Sequence, residues 1–145
     1  MKIIIVSGFF NPLHGGHLDM IEAAKEIGDK LIVIVNNDQQ QLVKKEQIIL
    51  NEANRLRVIR ALKPVDEVML AIDKDMTVSE SLAHIAKQHP GDELVFANGG
   101  DRHSTAVVPE TAVCEEYGIE MKFGVGGDTK ADSSTRINQA LGYKK

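Results

Sequence analysis

Ile3-Ile4-Ile5-Val6-Ser7-Gly8-Phe9-Phe10-Asn11-Pro12-Leu13-His14-Gly15-Gly16-His17 is the stretch that decides the fold. The apolar run at residues 3–6 reads as a fully buried strand, and Leu18, Met20, Ile21, Ala24 and Ile27 then recur at helical spacing. Residues 8–17 are therefore a strand-to-helix junction, with His14 and His17 in the first helical turn. Free backbone N–H groups and the positive end of the helix dipole point out of such a turn. Gly15 and Gly16 remove the side chains that would hold a ligand away. A lone histidine at a helix start is an ordinary polar residue. A buried strand, an Asn-Pro turn, a Gly-Gly pair and a His-x-Gly-His spacing in one place describe a site for a phosphate chain.

Working outward, strands are expected near 2–7, 30–36, 67–71, 93–97 and 119–124, alternating with helices near 16–28, 50–62, 77–89, 109–117 and 134–141. The Gly28-Asp29 pair falls where a helix C-cap belongs. Strict alternation predicts an α/β fold: a single Rossmann-like, doubly wound sandwich on a five-stranded parallel sheet, filling residues 1–145 as one domain. Its ligand crevice lies at the carboxyl ends of the strands, where the strand order reverses. Segments 8–17, 36–38, 98–103 and 124–136 all follow strand ends and converge there. Residues 37–48, with Gln39-Gln40-Gln41 and Lys44-Lys45, read as a polar, mobile excursion.

Composition narrows the function classes. An apolar fraction of 43% over 145 residues supports one real core, packed by Ile, Val, Leu and Ala because aromatic residues are few. A net charge of −4 and the lack of a basic stripe exclude broad nucleic-acid binding. Lone Cys114 excludes an intrachain disulfide and a cysteine-based zinc site, and it reads as a small apolar helix residue. With no leader-like segment before the first strand and no membrane-length apolar stretch, the expected location is the cytoplasm, without membrane insertion. His84 and His89 read as helix-surface residues.

Gly8, Phe10, Asn11, His14, Gly16 and His17 together meet every position of the signature of the His-x-Gly-His nucleotidyltransferase superfamily, which this chain closely resembles. The likeness continues in order. Residues 24–38 resemble the helix, turn and second strand of the small cytidylyltransferases and heptose-phosphate adenylyltransferases. Arg55 and Val65-Asp66-Glu67-Val68 resemble the glycerol-phosphate and ethanolamine-phosphate cytidylyltransferases. Asn98-Gly99-Gly100-Asp101 and Asp132-Ser133-Ser134-Thr135-Arg136-Ile137 stand where the family carries Gly-Gly-Asp and a closing Ser/Thr helix start. The resemblance spans residues 2–140.

What the resemblance implies is an enzyme that needs no nucleophilic side chain, because a phosphorylated acceptor is its own nucleophile. An acceptor phosphate oxygen attacks the α-phosphorus of a nucleoside triphosphate in line, and pyrophosphate leaves. His14 and His17 are placed to donate to the phosphate oxygens, helped by backbone N–H groups of Gly8, Phe9 and Phe10 and by Asn11 and Gly16. Lys44 or Lys45 reaches the phosphates from its loop, or is a solvated pair. Arg55, on a helix whose Arg57 and Arg60 fall on other faces, presents a planar fork to the acceptor phosphate. Ser133, Ser134 and Thr135 hold the β- and γ-phosphates, or cap a helix, or both. Asp38, Gly99 and Asp101 belong to the nucleotide site, the aspartates toward ribose, base or magnesium, or else as turn formers; Arg102 and His103 lie close to the acceptor pocket. Magnesium comes with the triphosphate and needs no dedicated protein cluster.

Base selection is balanced on departures from the family pattern. Val65-Asp66-Glu67-Val68 favours CTP, whereas Gly99-Gly100-Asp101 is as close to the ATP-using heptose-1-phosphate adenylyltransferases, and Asn11-Pro12 looks like the nicotinamide-mononucleotide adenylyltransferases. Lys63-Pro64 replaces an expected Arg-Tyr, and Gly124-Val125-Gly126-Gly127-Asp128 replaces the run that precedes the Ser/Thr segment. The sequence-level expectation is a homodimeric nucleotidyltransferase, CMP favoured, acting on a polyol, amino-alcohol or sugar phosphate. Its alternatives are ATP-dependent transfer to a sugar-1-phosphate, and a non-catalytic nucleotide-sensing module on the same fold.

Overall fold

A computed structural model of the chain describes residues 1–10, 13, 15–40, 51–75, 77–98 and 109–125. Five strands, β1 (Lys2–Gly8), β2 (Lys30–Val35), β3 (Glu67–Leu70), β4 (Glu93–Ala97) and β5 (Glu120–Lys122), alternate with α1 (Gly15–Glu26), α2 (Glu52–Arg60), α3 (Ser79–Gln88) and α4 (Thr111–Tyr117). All pairings are parallel and the order is β3-β2-β1-β4-β5, so the expected α/β sheet is present with β1 at its centre. The chain steps from β1 outward to β3, then crosses back to β4. The order reverses between β1 and β4, the position from which such sheets open a crevice.

Alternation along the buried strands divides the core in two. Ile3, Ile5, Ile32, Ile34 and Phe96 pack with Leu82 and Ile85 of α3 and Cys114 of α4. Ile4, Val6, Leu31, Val33, Val35 and Val95 pack on the other face with Ile21 and Ala24 of α1 and Ile59 of α2. Both faces of β1 and β2 are covered, which is why their sequences are continuous apolar runs.

Several boundaries differ from the sequence expectation for local reasons. Helix α1 ends at Glu26, and Gly28 is not a left-handed cap; the left-handed glycines of the described chain are Gly118 and Gly124. Gly28 is required by space, because a Cβ there would lie 2.5 Å from Ile4 Cγ1 and 3.0 Å from the Lys2 carbonyl oxygen. Helix α3 starts at Ser79 rather than 77, since the Asp75 carboxylate accepts from the Thr77 N–H and hydroxyl and Glu110 takes the Val78 N–H. β5 stops at Lys122, two residues short, ahead of the left-handed turn at Gly124. The helix expected near 134–141 lies outside the described residues.

Candidate active site

The carboxyl ends of β1 and β2 meet where Asn36 N–H donates to the Gly8 carbonyl at 2.9 Å. Beyond Gly8 the chain turns through Phe10, whose φ of 53° is a left-handed conformation that costs a non-glycine residue energy. That φ folds the Phe10 ring back into the core, where it is 2% exposed. A Cβ on Gly8 would come within 2.8 Å of Phe10 Cζ, so glycine is the residue that lets the ring lie there. The ring meets the imidazole of His17 edge-on, centroids 4.8 Å apart at 75°. His17 stands in the first turn of α1 beside buried Gly16, as its spacing predicted.

Arg55 reaches this turn from α2. It is completely buried, and its guanidinium donates from Nη1 to the carbonyls of Phe9 (2.8 Å) and Asn36 (2.6 Å) and from Nη2 to Asp38 Oδ1 (2.7 Å). These acceptors are protein oxygens that the folded chain itself brings to the fork. Asp38 is correspondingly engaged: its carboxylate receives Arg55, and its N–H donates to Glu52 Oε1 at 2.9 Å.

Sequence reasoning missed the polar hub beneath these groups. Gln40, 1% exposed, accepts from Asn36 Nδ2 and the Asn37 N–H and donates to the carbonyls of Asp75 and Thr77. Asn37 Nδ2 donates to the carbonyls of Ala71 and Asp73, and Asn37 Oδ1 accepts from the Gln40 N–H. Residues 37–40 are thus tied down, contrary to the mobile excursion expected from their polarity. The available signal was position: three amides placed directly after a buried strand must satisfy one another and nearby backbone.

Of the residues singled out from sequence, the structure gathers Gly8, Phe9, Phe10, Gly16, His17, Asp38 and Arg55 at the ends of β1 and β2. Asn98, 3% exposed, follows β4 and donates its N–H to the Lys122 carbonyl. Asn11, His14, Lys44, Lys45, Gly99, Asp101, Arg102, His103, Ser133, Ser134 and Thr135 lie outside the described residues. Among the described residues, no three His, Cys, Asp or Glu side chains come together as a metal site. No described helix is long and apolar enough to cross a membrane.

A concavity of about 410 Å³ opens elsewhere, between β3, the outer strand, and the C-terminal half of α3, lined by Val68, Met69, His84, Ile85 and Gln88. Its lining includes Val65, Asp66 and Glu67 at the amino end of β3, away from the β1 and β2 carboxyl ends, so it is not the crevice. His84 is exposed and His89 pairs with Asp92 at 3.3 Å, in keeping with surface positions.

Comparison with known proteins fits this geometry. The chain is 41% identical over 142 residues to the FAD synthase of Methanosphaerula palustris, covering 97% of this chain and 88% of that protein. It is also 41% identical over 103 residues to the FAD synthase of Ferroglobus placidus, covering 71% of this chain and 62% of that relative. The alignment thus spans less than two thirds of the latter protein. The solved lipopolysaccharide core biosynthesis protein of Thermoplasma volcanium superposes with a TM-score of 0.69 at 26% identity, over 91% of this chain and 99% of that one. The profile described as cytidylyltransferase-like matches residues 5–140. A parallel sheet in this order, a left-handed turn after β1 and a histidine in the first turn of α1, matched end to end, place the chain in the cytidylyltransferase-like family of nucleotidyltransferase enzymes.

Proposed function

We propose that the protein transfers the adenylyl group of ATP to the phosphate of FMN, forming FAD and pyrophosphate, with residues 1–145 acting as one catalytic unit. A phosphate oxygen of FMN forms the new bond to the α-phosphorus of ATP as the bond to the pyrophosphate oxygen breaks. The observation that carries this reading is the 41% identity to a FAD synthase over nearly the full length of both chains.

The segment Val65-Asp66-Glu67-Val68, from which CMP transfer was favoured, carries no weight in this reading. Asp66 bonds Lys25 Nζ at 2.6 Å and the Leu31 N–H at 2.8 Å, at the amino ends of β2 and β3. That motif therefore ties two strands together at the end opposite the crevice and says nothing of the base. In this reading His14 and His17 donate to the phosphates around the breaking bond, with the N–H groups of Gly8, Phe9 and Phe10. Asn11, Gly16, Asp38, Gly99, Asp101 and Ser133 to Thr135 surround the nucleotide, and Lys44 reaches the triphosphate. Magnesium enters bound to ATP, where it neutralises phosphate charge. We also take the enzyme to be a cytoplasmic homodimer.

Incubating the purified chain with ATP, magnesium and FMN and separating flavins by chromatography tests the reading. FAD should form with ATP and not with CTP, and His17→Ala should lower the rate on the order of 10²–10³-fold. Absence of FAD, together with adenylyl transfer to a sugar-1-phosphate, would replace it by the second reading, which the resemblance of Gly99-Gly100-Asp101 to the heptose-1-phosphate adenylyltransferases favours. Nucleotide binding without transfer to any phosphorylated acceptor would leave a sensing module.

A further inference from the structure

We infer that Arg55 is a positioning residue for the transfer reaction: by holding the Phe9 carbonyl it fixes the Phe9–Phe10 peptide and, through the Phe10 ring, the imidazole of His17. The inference rests on the proposed adenylyl transfer for its kinetic arm only.

The Phe9 carbonyl that receives Arg55 Nη1 at 2.8 Å belongs to the peptide joining Phe9 to Phe10. In a trans peptide the C=O and N–H point in opposite directions. Binding the oxygen from the α2 side therefore turns the Phe10 N–H away from α2. The same Nη1 holds the Asn36 carbonyl at 2.6 Å, and Asn36 N–H holds the Gly8 carbonyl, so the turn is fixed relative to the ends of both β1 and β2. Asp38, 2.7 Å from Nη2, sets the rotation of the guanidinium plane.

Strain makes this bracing necessary. Phe10 occupies the left-handed region, which a non-glycine residue leaves unless its surroundings hold it. Its ring is pinned over Gly8, and its edge contact is with His17, the described member of the histidine pair. Movement of the 9–10 peptide is thus transmitted to the histidine ring. A lysine at 55 keeps the positive charge but offers no planar fork to serve two carbonyls and a carboxylate together. A phosphate ligand and a brace consequently differ in what Arg55→Lys changes.

The test combines kinetics with the ring protons of His17 in the NMR spectrum of the full chain, identified by their loss in His17→Asn. In Arg55→Lys, kcat should fall about tenfold or more while KM for ATP and FMN stays within about twofold, the pattern of an interaction that acts in the transition state. The His17 ring protons, which lie within the ring-current field of Phe10, should shift. An increase confined to the KM of the phosphorylated acceptor, with His17 unmoved, would overturn the inference and make Arg55 a phosphate ligand. Should Arg55→Lys fail to fold, Asp38→Ala, which removes the acceptor of Nη2 and so releases one side of the guanidinium, carries the same readout: a shifted His17 supports the brace and an unshifted one overturns it. If wild type makes no FAD, the function reading falls, while the His17 shift still decides the role of Arg55.

Discussion

Asp66 accepts hydrogen bonds from Lys25 and from the Leu31 N–H, and these, the lysine first, hold its carboxyl below the ordinary 3.8. A carboxyl depressed by folding stabilises the native state above its unfolded pKa, and that contribution disappears as the pH falls through the lower folded value. Asp66→Asn should therefore cost about 1 kcal/mol at pH 7, a modest figure because both partners are about one-third exposed. The gap to wild type should begin to narrow at about pH 3.8 and close once the pH is below the lower folded value, in denaturant titrations; a gap that does not narrow as the pH falls below 3.8 would mean the carboxylate charge is not its source. His17 and Gly16 were legible because a strand, two glycines and a helix start leave few other places for them. Asp66 was legible as a motif but not as a role: matching letters do not reveal that its partners stand 41 and 35 residues away. Arg55 was legible as a helix arginine, while its bonds to the Phe9 and Asn36 carbonyls and to Asp38 depend on how two strand ends and a helix meet.

Helix α3 is held at its amino end from outside its own sequence. Val78 provides no side-chain cap; Asp73, 2% exposed, accepts from the Glu80 N–H at 2.7 Å, the Ser81 N–H at 3.1 Å and the Ser81 hydroxyl at 2.6 Å. Asp73→Ala would orphan two buried donors of Ser81 and the half-buried N–H of Glu80, and should destabilise the protein by about 2 kcal/mol. Loss of amide-exchange protection concentrated in residues 79–88 would locate the effect, and a uniform loss would contradict a local cap. The alternation of strands and helices was readable because β1 and β2 are covered on both faces and write themselves as apolar runs. Their ends were not, since a cap six residues upstream of Ser79, a side chain from Glu110 and a close approach at Gly28 leave no adjacent mark in sequence.

Cys114 reports on the assembled core. It is 1% exposed against the α3 face, and burial, with Glu110 next in effect, pushes its thiol up to about 11. Iodoacetamide at pH 8 should leave the native protein unlabelled and modify it in denaturant, since thiolate and access both require opening. Rapid labelling under native conditions would show that α4 separates from the sheet by itself. The parallel sheet, and the place of residues 8–10 at the end of its first strand, were legible from the sequence because apolar runs alternate with helical periodicity throughout the chain. The bracing of those residues was not, because it joins Phe9 to a side chain 46 residues further along. This separation has a consequence for biosynthesis. A nascent chain carries its complete His-x-Gly-His segment long before Arg55 has left the ribosome, and contacts between distant residues form late. Phe10 has no brace during that interval, so its left-handed turn settles only after β2 and α2 have docked.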